Sequence, residues 1–216
     1  MNAPGKPSAY DAEVPSALAA QRGIFDHESG SAIVLEARKQ MTKQAAVRLG
    51  STIALDDTTL TMFGLLTRLQ AFNEGAAREI DANNPFASAS CIRSLAEVVA
   101  LICHLIEKPA DLHRISMQAS QQHRFSVGKL LRAAQREAPG FEAVYEQLSN
   151  FAHPSYVGST ASMRVTDGDQ FSWTSTPQFK YDSEAFTMYL WVLELTEAGG
   201  MLWCRLYDAV RGASTL

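Results

Sequence analysis

The chain of 216 residues is 46% hydrophobic and 19% charged. This composition predicts one globular domain with a substantial core and excludes a fibrous or largely disordered protein. The formal net charge of −4 argues against indiscriminate binding to nucleic acid or anionic lipid, because both depend on positive potential.

Cysteine usage and hydropathy predict a cytoplasmic protein. The three cysteines, Cys91, Cys103 and Cys204, form no C-x-x-C pair and lie in apolar stretches, as free buried thiols do. The first residues lack the basic and apolar regions of a signal peptide. Residues 185–193 form an apolar run of only nine residues, whereas a membrane span needs about 20. We therefore expect no membrane contact.

Periodicity and capping signals predict a series of helices after a loosely ordered N-terminal arm. The arm, residues 1–30, is rich in proline and glycine and lacks a helical repeat. The helices are expected at residues 32–49, 58–80, 85–108, 109–122, 126–138, 141–153 and 183–211.

The helix over residues 85–108 is predicted to be the central one. Asn84 is a preferred cap, and Pro85 occupies the first helical position, where its missing N–H costs nothing. Apolar side chains cover nearly all of its circumference: Ile92, Leu95, Val98, Val99, Ile102 and Ile106 on one face, and Leu101 and Leu105 on much of the other. A helix that is apolar nearly all round is buried.

The hydrophobic period changes from helical to alternating between residues 162 and 176. Residues 163–166 and 170–174 flank Asp167-Gly168-Asp169, a pattern typical of two short strands around a tight turn. The predicted fold class is therefore mainly α. It is a helical bundle, a single domain over residues 31–216, with one small β-hairpin inserted before the C-terminal helix.

Two polar stripes interrupt the predicted core. Arg93, Glu97 and His104 fall within about 60° of one another on the central helix, and Arg93 and Glu97 can pair because they are four residues apart. Tyr145, Ser149 and His153 are also spaced by four, at the edge of an apolar face. Since an unpaired buried charge is costly, we expect this second stripe to pack against the first.

The two stripes allow two interpretations. The first is a structural network that fixes helix register. The second is a catalytic site formed by Arg93, Glu97, Tyr145, Ser149 and His153. In it His153 moves protons and Arg93 binds a phosphate, because an imidazole beside a carboxylate and a guanidinium can perform acid–base chemistry near neutral pH. The residues alone favour the structural interpretation, since ion-pair networks occur without catalysis.

The sequence Tyr145-Glu-Gln-Leu-Ser149-Asn-Phe-Ala-His153-Pro154-Ser155, preceded by Arg93-Ser-Leu-Ala-Glu97, resembles a family of uncharacterised bacterial proteins. The resemblance covers about residues 60–210. That family is similar to the HEPN (higher eukaryotes and prokaryotes nucleotide-binding) helical domains, many of which are dimeric, metal-independent ribonucleases of toxin and phage-defence systems. The resemblance implies a HEPN-like homodimer from a bacterial defence or stress context. It also implies an RNA-associated protein, and a degenerate ribonuclease if catalysis has been lost.

This chain lacks the arginine that precedes the histidine in catalytic HEPN domains. Their signature places an arginine before the histidine with four to six residues between them, and Leu148, Gln147 and Glu146 stand there in this chain. Cleavage would therefore require Arg93, on another helix, to replace the missing guanidinium in space. The alternative is a non-catalytic dimerisation or protein-interaction module whose Arg93–Glu97–His153 network is structural.

The stretch 112–136 is basic. It contains five cations and no acid. The cations are Arg114, Arg124, Lys129, Arg132 and Arg136. Such a patch is a candidate contact for RNA or for an acidic protein partner, although a solvated face balanced by neighbouring acids is the simpler interpretation.

No cofactor or metal site is predicted. The five histidines lack H-x-x-x-H spacing, and the chain has no glycine-rich phosphate loop. The stripe of Phe186, Tyr189, Leu190 and Leu193 on the last helix is expected in the core or at a dimer interface, and a homodimer is predicted.

Overall fold

The structure, a computed structural model, describes residues 17–50, 56–116, 125–153, 163–166, 170–173 and 175–212. Its helices are α1 (His27–Leu49), α2 (Asp57–Asp81), α3 (Pro85–Glu107), α4 (Leu112–Ser116), α5 (Val127–Glu137), α6 (Phe141–Ala152) and α7 (Asp182–Gly212). These helices share one hydrophobic core, which confirms the predicted helical bundle.

Helix α3 is the central element. Asn84 caps it by accepting the backbone N–H of Ala87 at 3.2 Å. The helix packs against α2, α5, α6 and α7, and most of its surface is buried, as predicted.

Among the described helices, α3 alone has the length and hydropathy (mean 1.7) to cross a membrane, and 61% of that segment is buried inside the bundle. Burial among four helices accounts for an apolar circumference of this kind.

Helix α1 begins at His27, before the residue 32 expected from periodicity. Asp26 and Ser29 form a reciprocal cap: the Ser29 N–H donates to Asp26 Oδ1 at 2.8 Å, and Ser29 Oγ accepts the Asp26 N–H at 3.0 Å. Upstream, Ala19 and Ile24 are buried at 0% and 1% exposure. Residues 17–21 are helical, in agreement with one short turn of helix expected near residues 16–21, and α1 extends the helical structure back to His27; residues 1–16 lie outside the described part of the chain.

The predicted helix at 109–122 begins with a 3₁₀ turn. Pro109–Asp111 forms a 3₁₀ turn and α4 follows it to Ser116, while residues 117–122 lie outside the described ranges. The turn is held by the Asp111 carboxylate, which accepts from His104 at 2.8 Å and from Arg114 at 3.2 Å. The described part of the predicted helix, residues 109–116, is therefore helical throughout.

Helix α7 approaches three other helices closely at Gly199 and Gly200. A Cβ on Gly199 would lie 3.0 Å from Leu69 of α2 and 3.3 Å from Val99 of α3. A Cβ on Gly200 would lie 3.1 Å from Met41 of α1. Because glycine has no Cβ, α7 can pack tightly against these helices in the middle of the bundle.

The aromatic and aliphatic stripe of α7 belongs to the core. Tyr189, Leu190 and Leu193 are all buried, and Phe186 is partly buried against the same core. The structure therefore agrees with the first of the two places expected for this stripe, the core of one chain.

Two short strands precede α7. They are β1 (Met163–Thr166) and β2 (Gln170–Trp173), which pair antiparallel with Met163 opposite Trp173. The Asp-Gly turn predicted between them falls outside the described residues.

Two glycine substitutions test the packing of α1 against α7. Gly30→Ala places a Cβ 2.6 Å from the ring of buried Tyr189, so we expect a loss of stability of about 2 kcal/mol or more. Gly64→Ala on α2 has nothing within 4 Å and should gain up to about 1 kcal/mol from helix propensity. Urea unfolding of both variants measures the contrast, and equal stabilities would contradict the close approach.

Candidate functional site

Four of the five side chains proposed for catalysis meet between α3 and α6. Arg93 and Glu97 come from α3, Tyr145 lies within α6, and His153 is the C-terminal cap residue of α6. We call these four residues the Arg93 cluster. Their convergence follows from the packing of α6 on α3, which brings the two polar stripes face to face.

Arg93 is the centre of the cluster. Its Nε donates to the Tyr145 hydroxyl at 3.1 Å, and its Nη1 lies 3.0 Å from His153 Nε2. Its Nη2 lies 3.4 Å from Glu97 Oε1. The guanidinium carbon also sits 5.4 Å from the centre of the Tyr145 ring, within cation–π range. With 24% of its side chain exposed, Arg93 is held from within the protein but remains open to solvent.

Tyr145 joins the cation to the carboxylate. Its hydroxyl accepts from Arg93 and donates to Glu97 Oε1 at 2.7 Å. Burial raises the pKa of Tyr145, and the hydrogen bond to Glu97 raises it further against the opposing effect of Arg93. The phenol therefore stays protonated and fixes the positions of both charged groups.

His153 occupies the exposed end of the cluster. The backbone N–H of His153 donates to the Ser149 carbonyl at 2.9 Å. The His153 backbone itself is extended, so α6 ends there. A guanidinium can only donate hydrogen bonds, so Nε2 of His153 must accept from Arg93. The proton of the neutral ring is then on Nδ1, and the ring is open to solvent.

Two predicted members of the stripes do not join the cluster. The Ser149 hydroxyl bonds none of the four side chains, and the residue contributes only its backbone carbonyl. His104, buried on α3, bonds Asp111 instead. Burial by itself would raise the pKa of Asp111, but the hydrogen bonds from His104 and Arg114 outweigh it, so the pKa lies below its ordinary value.

Two of the four described cations of the predicted basic patch are paired with acids. Arg136 pairs with Glu107 at 2.6 Å, and Arg114 pairs with Asp111. Lys129 and Arg132 are exposed on α5 and form no ion pair with the described residues. Arg124 lies outside the described ranges. Acids of the described residues thus offset about half of the described charge, and Lys129 and Arg132 remain as candidate contacts.

The Arg93 cluster is suited to binding an anion. Two of the five guanidinium N–H groups are directed to Tyr145 and His153, which leaves one N–H on Nη1 and two on Nη2 without a hydrogen bond to the described residues, although Nη2 lies within ion-pair distance of Glu97. Two such groups are what a two-pronged contact with a phosphate uses. Within the described ranges, no group of three or more His, Cys, Asp or Glu side chains is placed to hold a metal ion.

The comparisons with known proteins add no relative. No protein-family model matches the chain, and searches of curated proteins and of solved structures likewise return no match. The function must therefore be inferred from the site itself.

Removing the Tyr145 hydroxyl tests whether it holds the cluster together. Tyr145→Phe keeps the buried ring but loses both hydrogen bonds, and we expect a loss of stability of about 1–2 kcal/mol. Tyr181→Phe is the matched control, because Tyr181 is 58% exposed, and it should change stability by less than about 0.5 kcal/mol. If urea unfolding gives the same result for both variants, the bridging role of Tyr145 is wrong.

Proposed function

We propose that the protein is a HEPN-like, RNA-associated helical-bundle protein that cleaves RNA at the Arg93 cluster without a metal. The proposed fold includes the β-hairpin before the last helix, and the proposed assembly is a cytoplasmic homodimer in a bacterial defence or stress context. The family resemblance supports these features. In this proposal Arg93 replaces, from a different helix, the arginine that catalytic HEPN domains carry just before the histidine.

The contact between Arg93 and His153 carries this proposal. Arg93 Nη1 lies 3.0 Å from His153 Nε2, and the imidazole is exposed rather than sealed in the core. A structural network needs no such opening. A site that takes a phosphate requires one, and it requires the cation and the base to be within reach of the same ligand.

The cluster can supply the groups that metal-independent RNA cleavage needs. Arg93 would bind the scissile phosphate and stabilise the charge that develops on it. His153 Nε2, released from Arg93, would accept the proton of the neighbouring 2′-hydroxyl. The 2′-oxygen then bonds to phosphorus as the bond to the 5′-oxygen breaks. The leaving oxygen takes a proton from solvent, and the products are a 2′,3′-cyclic phosphate and a 5′-hydroxyl.

The second candidate function is a non-catalytic interaction module. Tyr145 favours it, because its hydroxyl bridges Arg93 and Glu97 and so gives the guanidinium internal partners that a purely structural network would use. In that case the cluster only fixes α6 on α3, and any partner binds elsewhere.

RNA cleavage by purified protein separates the two candidates. The wild-type protein, incubated with mixed single-stranded RNA in EDTA, should give fragments that end in 2′,3′-cyclic phosphate. His153→Ala should lower the rate by about 10²-fold or more, the scale of general acid–base catalysis. Arg93→Lys should also impair cleavage, since a lysine cannot make a two-pronged phosphate contact.

His113→Ala is the matched control, because His113 is an exposed histidine outside the cluster and the variant should cleave like wild type. Binding of the same RNA, followed by fluorescence anisotropy, distinguishes the remaining outcomes. Binding without cleavage would refute the catalytic role and leave RNA association. Neither binding nor cleavage would leave the interaction module. Light scattering that gives the mass of one chain would refute the homodimer.

A further inference from the structure

A second site is a cavity of about 530 Å³ that is lined by α3, α5, α6, α7 and the connection between α5 and α6, residues 138–140. We call it the elbow cavity. Its volume falls in the range of about 300–1,000 Å³ that is typical of small-molecule sites.

Small side chains account for the space. Ala96, Val99 and Cys103 of α3 form the floor together with Ala134 of α5, and all four are buried. Burial raises the pKa of Cys103 to about 12, so the thiol is neutral and contributes as a small apolar group. The helices that flank the floor, α6 and α7, each pack on α3.

Aromatic rings form part of the wall. Phe141, Tyr145 and Trp191 line the cavity from α6 and α7. The faces of aromatic rings are apolar but attract cations through their quadrupole. The position of the Tyr145 ring is fixed by its hydroxyl, which is hydrogen-bonded to Arg93 and Glu97.

The charged side chains that line the cavity are not all paired with one another. Glu137 and Arg205 form an ion pair with each other across the opening. Glu194 also lines the cavity but makes no ion pair with the described residues, and Arg22, whose charge acts on it, is itself paired with Glu197 at 2.5 Å. The lining therefore carries one uncompensated negative charge. Partial burial raises the pKa of Glu194, a sign that its carboxylate lacks full solvation.

We infer that the elbow cavity binds a small apolar molecule that carries one positive charge. The apolar floor and the aromatic wall take the hydrophobic part of the ligand, and Glu194 at the rim pairs with its ammonium group. An anionic ligand of the same shape would meet Glu194 as a like charge and is selected against. This inference does not depend on the proposed ribonuclease activity, because the cavity and the open face of His153 are separate features.

Three probes with the same chain and different head groups test the inference: n-octylammonium, 1-octanol and octanoate. Isothermal titration of the full-length protein should show octylammonium binding about 10-fold or more tightly than octanol, with octanoate the weakest. Glu194→Gln should remove the advantage of octylammonium while leaving the affinity for octanol unchanged. Ala198→Trp, which places a large ring at the cavity wall, should weaken binding of all three probes.

The control is Glu146→Gln, which removes an exposed carboxylate of α6 that does not line the cavity, and it should keep the wild-type preference. Failure of all three probes to bind would overturn the inference, as would equal affinity for octanol and octylammonium. Persistence of the ammonium preference in Glu194→Gln would overturn it as well. Thermal unfolding of Glu194→Gln checks that the variant is folded.

Discussion

Burial of α3 on nearly every side decides where charge can lie in this protein. A cation on such a helix needs partners from the elements packed against it, because an isolated buried charge is costly. Arg93 obtains them from α6, which supplies the Tyr145 hydroxyl and the His153 ring, and from Glu97 one turn along its own helix. His104 on the same helix obtains its partner from the 3₁₀ turn at Asp111. The position of α6 on α3 is thus what creates the candidate site.

Tyr145 connects the two sites inferred here. Its hydroxyl holds Arg93 and Glu97, and its ring lines the elbow cavity on the opposite side of the same side chain. A ring fixed at its hydroxyl end gives the cavity a rigid wall, and a packed wall in turn keeps the hydroxyl in place. Helix α7, which also lines the cavity, is held closely as well, because Gly199 and Gly200 let it lie close to α1, α2 and α3.

Local rules predicted the parts of the fold and the site that depend on neighbours in sequence. The cap at Asn84, the apolar circumference of α3 and the four-residue spacing of Arg93 and Glu97 are all local, and the structure contains each of them. Other contacts depend on how α3 packs against the segments that follow it, which periodicity does not encode. These contacts are the hydrogen bond of His104 to Asp111 and the ion pair of Arg136 with Glu107. The start of α1 was missed because the Asp26–Ser29 cap lies in a glycine-rich stretch that lacks apolar periodicity. The elbow cavity arises from small residues on three helices, and no sequence pattern marks it.

The central claim is that Arg93 and His153 form one solvent-open site for a phosphate. Long-range proton–nitrogen NMR of histidine-labelled protein, titrated with a short single-stranded RNA, tests it most directly. In the free protein the His153 ring should carry its proton on Nδ1, with Nε2 as the acceptor from Arg93. Saturating RNA should break that hydrogen bond and shift the Nε2 signal, while Arg93→Gln should abolish the response. A free ring protonated on Nε2, or a His153 signal that RNA leaves unchanged, would contradict the account.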